Sequence, residues 1–151
     1  MTAMLNHSLS EIYMRDVKKL RSEIEQYPSD EALWKTGTNI PNSGGNLTLH
    51  LIGNLNHFIG AILGGSGYVR YRDAEFSTSG LSRAKLLTDI DSTIEVVSRV
   101  LSGITPEDLS KEFPIQVFDR PDSTEWMLLH LLSHFNYHLG QINYHRRLLS
   151  E

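Results

Sequence analysis

The chain of 151 residues has no cysteine. That removes disulfides, thiolate nucleophiles and cysteine-ligated zinc or iron–sulfur centres, so a bound metal would have to be held by nitrogen and oxygen. No stretch approaches the roughly 18 uninterrupted apolar residues of a membrane helix, and the N-terminus lacks a basic-then-apolar signal pattern. The expectation is a cytoplasmic protein with no membrane partner. Positive charge is in short supply, with 14 Lys and Arg against 18 Asp and Glu, for a net charge of −4. Nucleic-acid and membrane-surface binders present a basic face, so this balance argues against both. Motifs are missing too. The glycine-rich run Gly64–Gly67 lacks the Gly-Lys-Ser/Thr ending of a phosphate-binding loop, and neither Glu-x-x-His nor His-Glu-x-x-His occurs. Those absences exclude the carboxylate-bridged di-iron bundle and the zincin proteases.

What is present is an ordinary globular composition, 40% hydrophobic and 21% charged. The length fits one domain over residues 1–151, with no repeat and no linker-like boundary. The spacing of Ile12, Val17, Leu20 and Ile24 predicts an amphipathic helix from Ser8 to about Tyr27, with Ser8 and Glu11 as a capping box and Pro28 as the stop. The segment from Pro28 to Gly45 reads as loop, anchored by Trp34. A second helix is expected from Asn46, as N-cap, to Leu63, ended by Gly64 and Gly65. A charged segment, Arg70 to Phe76, follows. Leu86, Leu87, Ile90, Ile94, Val97 and Leu101 predict a third helix over 82–102. Thr105 and Pro106 start a short further one. Residues 113–118, FPIQVF, alternate well enough for a short extended piece, kept to an edge by Pro114. A last helix begins at Asp122 or Ser123, with Glu125 placed to complete a box with Asp122. Four long helical patterns with little strand signal make an all-α four-helix bundle with longer connecting loops.

Four of the seven histidines lie in that last helix, at His130, His134, His138 and His145. Residues four apart stack on one helical face, so His130, His134 and His138 form one imidazole stripe, any adjacent two of which could bite a single metal. Imidazoles gathered in a bundle core cost desolvation unless something satisfies their nitrogens, and a divalent cation does so. A third ligand would come from another helix, where His50 and His57 stand seven apart.

The run His134-Phe135-Asn136-Tyr137-His138-Leu139-Gly140-Gln141 resembles the last-helix signature of the DinB/YfiT-like superfamily of metal-binding four-helix bundles. His50-Leu51-Ile52-Gly53-Asn54 and Arg70-Tyr71-Arg72-Asp73-Ala74-Glu75-Phe76 resemble two runs of an uncharacterised DinB-like subfamily. Together these motifs cover the chain from the second helix to its end. The resemblance implies a divalent metal held by His50, His134 and His138, with His130 one turn too early. Many members carry Arg where this chain has Leu139, which removes a cation there and leaves the ligand spacing intact. It further implies a metal-dependent hydrolase, or a transferase or isomerase using a low-molecular-weight thiol, with a small-molecule substrate, and it includes homodimers.

Three neutral nitrogens leave a cation with open coordination positions, the pattern of catalytic sites. Imidazole suits zinc, nickel, copper or iron alike. Asp73 and Glu75 are the candidate general bases or outer contacts, with Arg72 or Arg70 to hold an anionic substrate. Asn54 and Gln141 are placed to hydrogen-bond a ligand ring. Gly53 and Gly140 read as close helix-packing positions, and Trp126 as core. The competing readings are a non-enzymatic metal-binding module on the same ligands and a helical interaction protein.

Overall fold

Leu9, Tyr13, Val17, Leu20 and Ile24 recur at three- and four-residue spacings and are all buried, which gives one long helix a continuous apolar face. The computed structural model describes residues 4–149, and in it this helix, α1, spans Leu5–Glu25. It starts a turn before the expected Ser8. Met4 stands at the N-cap position without a side-chain cap, so the Ser8–Glu11 capping box does not form. Starting earlier lets Asn6 donate to the Ile104 carbonyl at 3.1 Å.

Residues Glu31–Trp34 form a single tight helical turn. Trp34 anchors this connection as expected, donating its indole N–H to the Leu81 carbonyl at 2.9 Å. Helix α2 spans Gly44–Leu55 and runs on as a wider π-type helix over Asn56–Leu63. Its N-cap is Ser43, whose hydroxyl accepts from the Asn46 amide. The Asn46 side chain is therefore free to bond elsewhere, and it donates to the carbonyls of Glu75 at 3.0 Å and Thr78 at 2.7 Å.

Those two carbonyls belong to the end of α3, Arg72–Ser77, and the residue after it. The charged segment thus holds a short helix that its sequence pattern does not announce. Helix α4 spans Arg83–Ser102, capped by Ser82, and α5 spans Pro106–Ser110 with a Thr105–Asp108 capping box. Helix α6 covers Thr124–Leu149. Its first turn is capped by Ser123, whose hydroxyl accepts from the Trp126 amide at 3.1 Å. The Asp122 carboxylate is held by Arg120 at 2.9 Å, so no Asp122–Glu125 box is made.

The expected extended piece at residues 113–118 is not a strand. It lies in a loop closed at its base by an isolated bridge between Glu112 and Ser123. Pro114 removes one donor, and no neighbouring strand offers a ladder. Among the described residues there are no strands, and no helix is long and apolar enough to cross a membrane.

Helices α1, α2, α4 and α6 make the bundle: α1 packs on α4 and α6, and α2 on α3, α4 and α6. Their apolar faces meet in one buried cluster, where each fully buried Leu or Phe side chain contributes about 1.5–3 kcal/mol. Polar ties fix the register. Tyr13 donates its hydroxyl to the Leu128 carbonyl. The fully buried Asp16 carboxylate accepts from Arg15 and from Asn136 of α6, both at 2.8 Å. The start of α2 lies against the end of α6, since a side chain at Gly44 would strike His145, and His50 lies beside His134. The two helices are therefore antiparallel.

Candidate metal centre

His50 projects from the middle of α2, where it is buried, and His134 and His138 project half-buried from successive turns of α6. One nitrogen from each ring lies within 4.8 Å of the other two. The ring centroids are 5.0 Å apart for His50 and His134, 5.1 Å for His50 and His138, and 4.6 Å for His134 and His138. His130 is elsewhere, stacked face to face on Trp126 at 5.1 Å with Phe118 edge-on. Trp126 is correspondingly part of the surface rather than core, 37% exposed and covered by the Arg120 guanidinium. His57 packs against Phe58 and lies outside the three-histidine group.

Two of the three rings have their tautomer fixed from behind. Nδ1 of His50 lies 3.0 Å from Oε1 of Glu75. A carboxylate engaged by an arginine only accepts, so the proton sits on Nδ1 and the lone pair on Nε2 faces the cluster. Nδ1 of His138 lies 2.7 Å from Oε1 of Gln141, which by the same reasoning leaves its Nε2 bare. Arg70 holds Glu75 in place through both carboxylate oxygens, at 2.8 and 2.9 Å. The 3.3 Å approach of Arg70 to Nδ1 of His50 brings two donors together and is a consequence of their shared acceptor.

Local sequence explains why Glu75 reaches this position. A Cβ at residue 53 would overlap the Glu75 carboxylate, so glycine there makes room for a side chain from α3 rather than for another helix. Asn46 ties down the backbone of α3 from below. Neither the role of Gly53 nor that of Asn46 is signalled by spacing alone. Gly140, in contrast, faces open space, and a Cβ there would have nothing within 4 Å, so it makes no close helix contact within the chain. Asn54 is buried one turn beyond His50.

The electrostatics favour the neutral forms of His50 and His134. Burial lowers the His50 pKa, opposed by its bond to Glu75. Burial pushes His134 down to about 4, helped by the neighbouring His138 and His50. Nε2 of His134 lies 3.1 Å from Nε2 of His50, while Nδ1 of His134 is buried without a partner. Two nitrogens on one tetrahedral cation with bonds of 2.0–2.1 Å would stand about 3.3 Å apart, so this spacing and the bare Nε2 atoms of His50 and His138 fit a divalent ion. The donor set, three imidazoles and no thiolate, suits a first-row transition metal.

Arg72 and Asp73 are exposed on α3, with the Arg72 guanidinium over the Phe76 ring. Phe76 itself packs on His50 at 4.9 Å.

The helical bundle has the DinB-like fold, as comparison with solved structures shows. A DinB-like protein from Bacillus cereus shares 16% identity at a TM-score of 0.74, covering 93% of this chain and 90% of its own. A DinB-like protein of Bacillus subtilis, YjoA, shares 16% at 0.71, covering 95% and 92%. A conserved protein of Enterococcus faecalis shares 15% at 0.79, covering 98% of each. At these identities the likeness is one of fold. No curated protein matches. The chain belongs to the family described as Protein of unknown function (DUF1572), which matches residues 4–151.

Proposed function

We propose that His50, His134 and His138 hold a divalent metal ion and that the protein is a metal-dependent enzyme acting on a small molecule. The observation that carries this reading is the pairing of Glu75 with Nδ1 of His50 and of Gln141 with Nδ1 of His138. Outer contacts of this kind fix ligand tautomers in metal sites and raise ligand basicity. A cation bound by three neutral nitrogens would supply Lewis-acid chemistry at its remaining positions, suited to hydrolysis or to transfer of a low-molecular-weight thiol. Zinc, nickel and iron all match the ligand type.

Within this reading the residues of the chain divide the work. Glu75 is a positioning residue: Arg70 neutralises it, and its acceptor oxygen keeps the His50 proton away from the cluster. Gln141 does the same for His138. Phe76 shields one side of the His50 ring from water. Arg72 and Asp73, at the exposed edge of α3, are the groups proposed to meet a polar end of the substrate and to take up a proton.

The test is elemental analysis of untagged protein, with about one divalent ion per chain expected. His134→Ala should lose that ion while keeping the helical signal; full retention would sink the assignment. A panel of hydrolase and thiol-transfer assays on the loaded protein then separates the chemistries. One observation favours a second reading, a non-catalytic metal-binding module. Glu75, the carboxylate nearest the rings, has both oxygens engaged by Arg70 and is not free to act as a base. Loaded protein that keeps about one ion per chain yet turns over nothing in the panel would favour this module.

We also propose a second copy of the chain as a partner. Leu129, Tyr137, Tyr144 and Leu148 are each 45–68% exposed along one face of α6, and Gly140 lies among them with open space at its Cβ position.

A further inference from the structure

One helical turn from the imidazoles lies a half-open cleft of about 330 Å³ lined by Asn39, Ile40, Pro41, Asn42 and Leu47 on one side and by Gln141, Tyr144, His145 and Leu148 on the other. Its position follows from the antiparallel packing of α2 and α6. Leu47 precedes His50 by three residues and Gln141 follows His138 by three, so both steps lead in the same direction away from the cluster. Gln141 is common to both places. Its Oε1 accepts from His138 and its remaining amide N–H groups are donors for whatever enters.

Among the described residues, none of those lining the cleft is Asp, Glu, Lys or Arg. His145 adds no charge and no free hydrogen-bonding atom. Its Nδ1 lies 2.7 Å from the Tyr27 hydroxyl and its Nε2 lies 2.8 Å from the Lys35 carbonyl. Both ring nitrogens are thereby used, one accepting from a phenol that burial keeps protonated and one donating to a carbonyl. The polar capacity left to a ligand is the amides of Asn39, Asn42 and Gln141 and the Tyr144 hydroxyl. The volume lies in the range of about 300–1,000 Å³ typical of small-molecule sites.

A larger cleft of about 460 Å³, between α3 and α4, has a volume in the same range but charged walls. Asp89 and Glu75 line it, and Glu75 itself, locked to Arg70 and His50, stands between it and the rings.

We infer that the cavity between the 39–42 turn and α6 binds the body of an uncharged, mainly apolar small molecule, whose polar end is directed past Gln141 toward His138. The second half of that statement rests on the metal-centre reading; the first does not. An anionic or cationic body would lose part of its hydration against walls whose described lining residues include no Asp, Glu, Lys or Arg; the nearest cations, Arg147 over the outer Tyr144 ring and Lys35 behind His145, stand outside that lining.

The experiment uses two fluorescent probes that differ by one charge, neutral N-phenyl-1-naphthylamine and its sulfonated analogue 1-anilinonaphthalene-8-sulfonate, titrated into the full chain. The neutral probe should bind at least tenfold more tightly. Ile40→Trp, which fills the cavity from a half-buried position on the turn, should abolish that binding, and Ser92→Trp, which fills the larger cavity, should leave it intact. Circular dichroism confirms that both variants fold; should Ile40→Trp misfold, Leu148→Trp at the exposed rim replaces it. Equal binding of the two probes, or loss in Ser92→Trp with retention in the cavity-filling variant, would overturn the assignment. Metal content is read separately. Neutral-probe binding that depends on Ile40 in a protein that takes up no metal means that the metal centre fails and the cavity stands; one metal per chain without probe binding means the reverse.

Discussion

The Glu75 carboxylate fills the volume that a side chain at Gly53 would need. This links a glycine on α2 to the orientation of His50, three residues earlier on the same helix. Gly53→Ala should push Glu75 out and release the Nδ1 proton of His50 from its acceptor. Loss of such an outer contact costs about 10–100-fold in metal affinity. Alanine also raises helix propensity by up to about 1 kcal/mol, so a stability gain cannot be mistaken for a tighter site. Competition against a chromophoric chelator measures the affinity; an unchanged value for Gly53→Ala would show that Glu75 does not orient the ring.

Gln141 plays the matching part for His138, and its replacement offers a milder perturbation because the residue is exposed. Gln141→Leu leaves Nδ1 of His138 to water, which can still accept its proton. A drop in metal affinity of only a few-fold is expected, against the larger loss for Glu75→Ala, which also strands Arg70 beside a buried histidine. The same chelator competition ranks the two variants, and the reverse order would exchange their roles.

Metal removal should be visible in stability. An ion that binds only the folded chain stabilises it by about 2.7 kcal/mol at one hundred times its dissociation constant. For a chain of this length that corresponds to a rise of roughly 5–10 °C in melting temperature. Calorimetry with excess zinc and then with excess chelator checks this. Identical curves would contradict a site preformed in the folded state.

Much of this arrangement is legible in the amino-acid sequence, for physical reasons that differ from residue to residue. The i, i+4 pair His134 and His138 is visible because helical periodicity places both on one face, and Gln141 falls on that face three residues further on. The choice of His50 over His57 rests on the surrounding motif, since seven residues of helix keep the two nearly aligned. Glu75 is a candidate by charge, but its use as the partner of His50 depends on α3 being helical, and six residues rich in charge carry no apolar period to announce it. Ser43 and Asn46 both have capping side chains; the cap goes to Ser43 because Asn46 has two carbonyls of α3 within reach. Trp126 sits at a helix start beside a long loop, and whether it is covered depends on where that loop runs.

Acid should destabilise the metal-free protein before it protonates the structural carboxylates. Burial lowers the pKa of His50, His134 and His145 in the folded chain, to about 4 for His134, against about 6.5 when unfolded. A histidine shifted in that direction favours the fold while neutral. Its contribution is complete above the unfolded value and is lost as pH falls from about 6.5 toward the folded one. Burial pushes the Asp16 carboxyl up, but Arg15 and Asn136 outweigh it and hold the group below the usual carboxylate range, so its contribution is lost only at lower pH. Urea unfolding of chelator-treated protein should therefore lose on the order of 1–3 kcal/mol between pH 7.5 and 5, with a shallower slope in His145→Gln. A flat profile would mean that the rings titrate alike in both states.

The exposed face of α6 yields the last prediction. Glycine in a helix interior costs about 1 kcal/mol relative to alanine, and at Gly140 nothing in the chain itself approaches closely enough to require it. A second α6 laid across this face would use the missing side chain and cover Tyr137 and Tyr144, now 68% and 61% exposed. Such isologous contacts are the commonest way for a chain to pair with itself. Sedimentation equilibrium of the wild type should give a dimer, and Gly140→Arg, which adds a bulky charge pointing into open space, should give a folded monomer. A monomeric wild type at about 100 µM, or a dimer indifferent to Gly140→Arg and to Tyr137→Glu, would rule out this face.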